Sequence, residues 1–427
     1  MPESKPAVWS FRLGLVCLAA LSVSLPMAWI SLAKVLVFVT ALVVLLGHVA
    51  TRRTDTQIRQ LWTPWALAVL LLFSACSLWW TGADLATALE SFIKHAKLLE
   101  VVLLVSLIRS VAEGRMAITF FAYGQAFVLL SSWLMFIGIA VPWHANAPTP
   151  YVVFSTYLDQ SIMFATTASV FWYLRSDKLW PRWIGIVLAV LALANTFLLL
   201  EGRSGYVVAL TAIALAAMWT MPPRFRLATL VITPVVLLLG LTLGSAQVQE
   251  RVTKMVRESQ GYAAGQAVDI KDSSGWRLNA WRRSVQAIGE KPLLGHGVGA
   301  WTPAVKRLEG STAIKIFGEG NHSNPHQEYL LWGVELGVGG SLLLLAALGC
   351  VARDALRFPT SIQRATLAVV AATAVACLFN SALYDDLMGD FFCVALGLLM
   401  ALGTRSMATA QEQAPLPLLT TQPEVLV

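Results

Sequence analysis

The chain has 427 residues, 57% of them hydrophobic and only 13% charged, with a formal net charge of +7 and a mean hydropathy of +0.67. A soluble domain carries about 25% charged residues, so this composition excludes a soluble globular enzyme, a disordered chain and a small disulfide scaffold. The five cysteines all lie in apolar stretches and report nothing about redox compartment.

A helix needs about 20 mostly apolar residues to cross the hydrocarbon core of a bilayer. Such segments run at 11–29, 31–50, 63–80, 84–108, 116–140, 157–174, 183–201, 205–221, 227–245, 328–350, 363–380 and 388–404. They predict an all-α polytopic membrane protein with about 12 transmembrane helices. The first segment, flanked by Lys5 and Arg12, has the outline of a signal peptide, but no persuasive cleavage site follows and it reads as a retained anchor. One set of short loops and helix ends holds sixteen Lys and Arg, among them Arg109, Arg175, Arg182, Arg353 and Arg364. The short loops on the other side hold one, Arg203. Cytoplasmic loops collect the positive charge, so both termini are expected in the cytoplasm. The expected organisation is helices one to nine over 1–245, a large outer loop with short helices over 246–327, helices ten to twelve over 328–405, and a disordered cytoplasmic tail over 406–427.

In chain order, the fourth segment carries Glu90, Lys94 and Lys97 at a spacing that places a carboxylate and two ammoniums on one stripe. Ionisable groups within a span are candidates for function; a self-neutralised Glu90–Lys94 pair is the plainer alternative. Between segments seven and eight, Glu201-Gly202-Arg203-Ser204-Gly205 is a hairpin short enough to hold Arg203 at the interface, where an arginine can also simply snorkel. The outer loop holds eleven basic against seven acidic residues, and a net positive outer loop suits an anionic ligand such as a phosphate. Within it, the apolar and aromatic residues at 276, 278, 281, 285 and 288 have helical spacing, with Arg277, Arg282 and Arg283 on other faces. Arginine offers a planar fork of donors that chelates phosphate oxygens, so Arg203 and Arg277 together are candidates for a pyrophosphate site. The following Gly295-His296-Gly297-Val298-Gly299 lacks the Lys-Ser/Thr of a P-loop and reads as a tight turn.

Asn321-His322-Ser323-Asn324-Pro325-His326-Gln327-Glu328 enters the tenth segment. His326 is placed to act as a base near neutral pH, or as an ordinary hydrogen-bonding residue. His322 is four residues away, but Pro325 opposes helical presentation of the pair and no carboxylate cluster completes a metal tetrahedron. Tyr384-Asp385-Asp386, in the last outer loop, is a candidate to orient His326 or bind an acceptor.

Taken together, the Arg203-Ser204-Gly205 hairpin, Trp276-Arg277, the run from Pro292 to Trp301, His326-Gln327-Glu328-Tyr329-Leu330 and Glu335-Leu336-Gly337-Val338-Gly339-Gly340 resemble the O-antigen ligase/polymerase superfamily. The resemblance covers about 200–340 in motifs, and the rest only in hydropathy. It implies a GT-C-like membrane glycosyltransferase on the periplasmic face of a Gram-negative inner membrane. The donor would be an undecaprenyl pyrophosphate-linked glycan, the acceptor a sugar hydroxyl of lipid A-core and the product lipopolysaccharide. It further implies an inverting, metal-independent reaction with no cofactor and no nucleic acid partner. His326 matches the family's essential histidine, Arg203 its hairpin arginine and Arg277 its loop arginine. Lys94, Lys97, Arg282, His322, Asp385 and Asp386 are supporting candidates. Gln327 departs from the pattern, since many relatives carry Asn there. The O-antigen polymerase and the protein O-oligosaccharyltransferases of the superfamily are the alternatives within it, and a transporter the alternative outside it.

Overall fold

The computed structural model describes residues 11–50, 56–143, 150–244, 273–309 and 324–412, with isolated positions between 249 and 260. Among these residues the secondary structure is helical, with no strand. We number the main helices α1 (Phe11–Ser22), α2 (Met27–Ala50), α3 (Thr63–Cys76), α4 (Leu85–Ala96), α5 (Leu99–Leu107), α6 (Val111–Phe136), α7 (Tyr157–Leu174) and α8 (Arg182–Leu198). There follow α9 (Arg203–Thr220), α10 (Arg226–Gly244), α11 (Ser273–Glu290), α12 (Trp301–Glu309), α13 (Glu328–Ala355), α14 (Thr360–Phe379) and α15 (Asp386–Glu412).

Six helical stretches are long and apolar enough to cross a membrane: Val111–Phe136, Arg203–Thr220, Pro223–Gly244, Glu328–Ala355, Thr360–Phe379 and Asp386–Ala410. Shorter apolar helices lie at Phe11–Ser22, Met27–Val43, Thr63–Trp79 and Arg182–Leu198. The described residues are therefore those of a helical membrane protein. Among the described residues these helices account for part of the expected twelve segments; the expected span at 157–174 is helical but rich in polar residues that face the bundle. In α7, Asp159, Gln160, Ser161, Thr166 and Thr167 are all buried. The 84–108 segment, expected as one span, is two helices. At its break Leu98 N–H bonds the His95 carbonyl and Glu100 N–H the Lys97 carbonyl, three-residue spacings that tighten the backbone. Lys97 is the C-cap of α4, and it and Lys94 both face the Tyr384–Asp386 loop. At the other end of the chain, α15 continues to Glu412, past the expected boundary at 405.

The core centres on α15, whose residues 387–405 are all buried among α5, α6 and α14. By contrast, the apolar stretch containing α10 has no buried residue and runs against α9 on the outside of the bundle. Inside this apolar surround several charges are paired, which offsets the cost of their burial. Lys34 Nζ lies 2.8 Å from Asp390 Oδ2, and Asp354 accepts from the backbone N–H groups of Trp62 and Thr63, both at 2.8 Å. Arg405 donates to the carbonyls of Ile108 and Val105. Helix α13 is broken at Gly337, whose φ of 71° and ψ of −172° belong to a region open to glycine. There Val338 N–H donates to the Pro292 carbonyl at 2.8 Å, so the break is where the outer loop is stitched to the bundle.

Candidate active site

One end of the bundle gathers the starts of α7, α9, α13 and α15 and the exit of α14. The hairpin between α8 and α9 is set against α7 by contact too close for any side chain. A Cβ at Gly202 or Gly205 would stand 2.1 or 2.3 Å from Ser161 Oγ, and Tyr206 Oη bonds back to the Leu200 carbonyl at 3.0 Å. Arg203 is thus the first residue of α9, held beside the start of α7.

Helix α11 carries Arg277 to the same place. Arg203 and Tyr157 both act electrostatically on Arg277, and burial, reinforced by the Arg203 charge, pushes the Arg277 guanidinium below its usual range. Two like charges brought together inside the protein repel, and an anion bridging them relieves that cost. The neighbouring Trp276 meets the His326 ring edge-on, with centroids 5.3 Å apart, and Trp281 Nε1 donates to the Pro325 carbonyl at 3.0 Å. The aromatic face of α11 therefore ties Arg277 to the segment that enters α13.

That segment is strongly ordered by local bonds. Asn324 Oδ1 accepts from His326 N–H at 2.9 Å, an Asx-turn, and His326 has a left-handed φ of 51°, uncommon for a non-glycine residue. Gln327, the departure from the family pattern, is the N-cap of α13, its Oε1 accepting from Leu330 N–H at 2.5 Å. His326 Nδ1 lies 2.9 Å from Asn380 Oδ1. An amide oxygen only accepts, so Nδ1 carries the proton and the lone pair of the neutral ring lies on Nε2, the arrangement a general base needs. Glu328 is fully buried and accepts from Leu383 N–H (3.0 Å), Tyr384 N–H (3.1 Å) and Trp332 Nε1 (2.9 Å). It locks the loop after α14 onto the start of α13, and with it Asn380 onto His326.

The structure therefore brings Arg203, Arg277 and His326 to one end of the bundle through Tyr157, Trp276 and Asn380. Asn380 contacts the His326 ring, while Asp385 is turned toward the start of α15. Asp385 Oδ1 accepts from Met388 N–H at 3.2 Å, and burial raises the Asp385 carboxyl above its ordinary range despite the pull of Met388 and Lys97. Lys97 donates to the Tyr384 and Asp385 carbonyls at 3.1 and 2.6 Å and lies 3.5 Å from Asp386. It anchors the last outer loop. Lys94 pairs with Glu90 at 3.0 Å and stands 5.0 Å from the centre of the Tyr384 ring. Arg282 is exposed on α11, and His322 lies outside the described residues. Among the described residues no three His, Cys, Asp or Glu side chains converge in a way that could hold a metal ion.

The glycine-rich turn packs as a structural wedge. His296 N–H and Gly297 N–H bond the Val334 and Glu335 carbonyls, both at 2.8 Å, and Gly82 N–H bonds the His296 carbonyl at 2.9 Å. At Gly297, with φ +91°, a Cβ would lie 2.2 Å from the Thr81 Cα, so only glycine fits. The Glu335 carboxylate fastens the turn further, accepting from Gly299 N–H (2.8 Å) and Ser91 Oγ (3.1 Å) and meeting His95 Nε2 at 2.7 Å.

Sequence reading missed Asn380, Tyr157, Glu328 and Glu335. Asn380-Ser381 interrupts an apolar run just before Tyr384, a visible signal; the other three become informative only once the helices are placed. A search of curated proteins finds no match to the chain. Residues 188–345, which include Arg203, Arg277 and His326, match the family model Wzy_C, described as O-Antigen ligase. Over that segment, somewhat more than a third of its length, the chain is similar to the O-antigen ligase family.

Proposed function

We propose that the chain is an O-antigen ligase, which transfers a glycan from undecaprenyl pyrophosphate to a sugar hydroxyl of lipid A-core at the periplasmic face of a bacterial inner membrane. The observation that carries this reading is the gathering of a histidine with its lone pair on Nε2 and two arginines at one end of a helical bundle, within the segment matched to the family. In this reading His326 Nε2 takes the proton of the acceptor hydroxyl. That oxygen bonds to the anomeric carbon from the side opposite the donor oxygen, and the carbon–oxygen bond to the pyrophosphate breaks. The product is inverted, and undecaprenyl pyrophosphate leaves with its new charge held by Arg203 and Arg277. Helices α7, α9, α13 and α15 direct their N-termini to this end, and the partial positive charge there favours an anion. The energy of transfer is already stored in the donor, so no nucleotide is required. Both termini lie in the cytoplasm, as the charge asymmetry of the short loops favours.

Deletion of the gene followed by gel analysis of lipopolysaccharide tests the assignment. Loss of every capped band with retained lipid-linked glycan is expected; capping by single repeats identifies a polymerase instead, and normal lipopolysaccharide with an unglycosylated protein identifies a protein transferase.

Turnover is also expected to be independent of divalent metal, because the two guanidiniums take the charge-neutralising role. Asp385 is engaged by Met388 N–H and Lys97 binds the carbonyl beside it. Purified enzyme assayed in excess EDTA keeps its rate under this reading. Activity lost to EDTA and restored by Mg²⁺ or Mn²⁺ moves Asp385 and Asp386 to the centre of the reaction.

A further inference from the structure

At the opposite end of α7, about 24 Å along the helix from Tyr157 by its 1.5 Å rise per residue, an apolar groove of ≈ 310 Å³ opens between α7, α8 and α9. Its lining combines small residues, among them Ala168, Ala189, Ala212 and Ala216, with the larger Trp172 and Tyr173. Small side chains on three adjacent helices leave a channel that the protein's own side chains do not fill. Tyr173 is only 6% exposed, and its hydroxyl has no hydrogen-bond partner among the described residues. A buried polar group without a partner is costly, and more so in a bilayer where water cannot supply one.

The charges around that hydroxyl have one sign. Arg364 and Arg175 both act on Tyr173, and Arg182 acts on Arg175. The Arg175 guanidinium lies 3.9 Å over the Trp172 ring and bonds the Trp172 carbonyl, while its buried Nε is also without a partner. Arg364 stands 5.8 Å from the Trp219 ring, and Trp219 packs edge-on against Tyr173 with centroids 5.2 Å apart. The nearby acid, Asp177, is turned to Ser361, whose Oγ donates to it at 2.9 Å, and Arg115 acts on it. Lys178 and Arg182 line a second, polar depression in the loop after α7. An uncharged chain in the groove would leave these donors unanswered; a chain that ends in a phosphate would answer them.

We infer that this groove binds one anionic phospholipid, with an acyl chain along the alanines of α7, α8 and α9 and the headgroup phosphate accepting from Arg175, Arg364 and the Tyr173 hydroxyl. The site lies at the far end of the bundle from His326 and is separate from the donor pyrophosphate site. It gives the three-helix unit α7–α9, which carries Arg203, a fixed lipid on its other end.

Native mass spectrometry of the delipidated full chain, titrated with dioleoyl-phosphatidylglycerol or dioleoyl-phosphatidylcholine, tests the inference without reference to glycan transfer. The first phosphatidylglycerol adduct is expected to form at about tenfold lower concentration than the phosphatidylcholine adduct. Tyr173→Phe, which removes only the hydroxyl, is expected to weaken that adduct about 3- to 10-fold, the loss of one hydrogen bond. The Arg175→Gln, Arg364→Gln double variant should bind the two lipids alike, and Ala217→Phe, which fills the groove without touching charge, should lose the tight adduct. Equal binding of the two lipids by the unaltered chain overturns the inference. So does an undiminished preference in the double arginine variant, whose two side chains are half-buried at the ends of their helices.

Discussion

Transfer of glycan falls about 10²–10⁴-fold in His326→Ala, the contribution typical of a positioned base, while the protein remains folded in the membrane. The expected loss is specific to chemistry because the imidazole is not part of the packing core. It touches the edge of Trp276 and the amide of Asn380, and the turn that holds it is made by the backbone N–H of residue 326 bonded to Asn324. The left-handed φ of 51° costs an alanine about as much as it costs a histidine, roughly 1–2 kcal/mol, so the substitution adds no new backbone strain. His326→Asn makes the separation sharper: asparagine tolerates the left-handed region and keeps a polar contact, but supplies no base. Both variants should bind donor and fail to transfer. Near-normal turnover of either one removes His326 from the reaction. Asn380→Ala is expected to lie between the unaltered chain and His326→Ala, since it frees the tautomer without deleting the base.

How much of this was legible in the sequence depends on the range of the interactions involved. The long apolar runs report helices directly, because a bilayer demands satisfied backbone over each span, and every apolar segment expected from the sequence falls on helical backbone. The break at Lys97 was not legible. Leu85 to Leu107 has no proline or glycine to interrupt it, and the partners of Lys97 at the tightened turn, the carbonyls of Tyr384 and Asp385, lie nearly three hundred residues away. The turn at 295–299 read correctly as a turn because glycines act locally, but its anchorage on Glu335 is a long-range pairing. The same division holds for the site. Arg203, Arg277 and His326 stand out as isolated polar residues at helix ends, whereas Asn380 acquires meaning only when Glu328 fixes its loop against His326.

Replacing either Arg203 or Arg277 with lysine is expected to lower kcat/KM about 10- to 100-fold, although the charge is unchanged. A guanidinium offers two parallel donors that match two phosphate oxygens; an ammonium offers a point charge. Losing one charge-assisted hydrogen bond costs about 1.5–3 kcal/mol, which converts to that range of rate. The loss should be larger for Arg277, whose guanidinium is the more strongly desolvated of the two and has less water to substitute for the missing donor. Because the Arg203 charge acts directly on Arg277, the two side chains share one electrostatic environment and their effects should not add. The Arg203→Lys, Arg277→Lys double variant is expected to lose less than the product of the single losses, the signature of two groups on one ligand. Additive losses would place them on different parts of the donor. If both lysine variants turn over donor at the normal rate, the fork geometry is irrelevant and a diffuse positive field suffices to hold the leaving pyrophosphate.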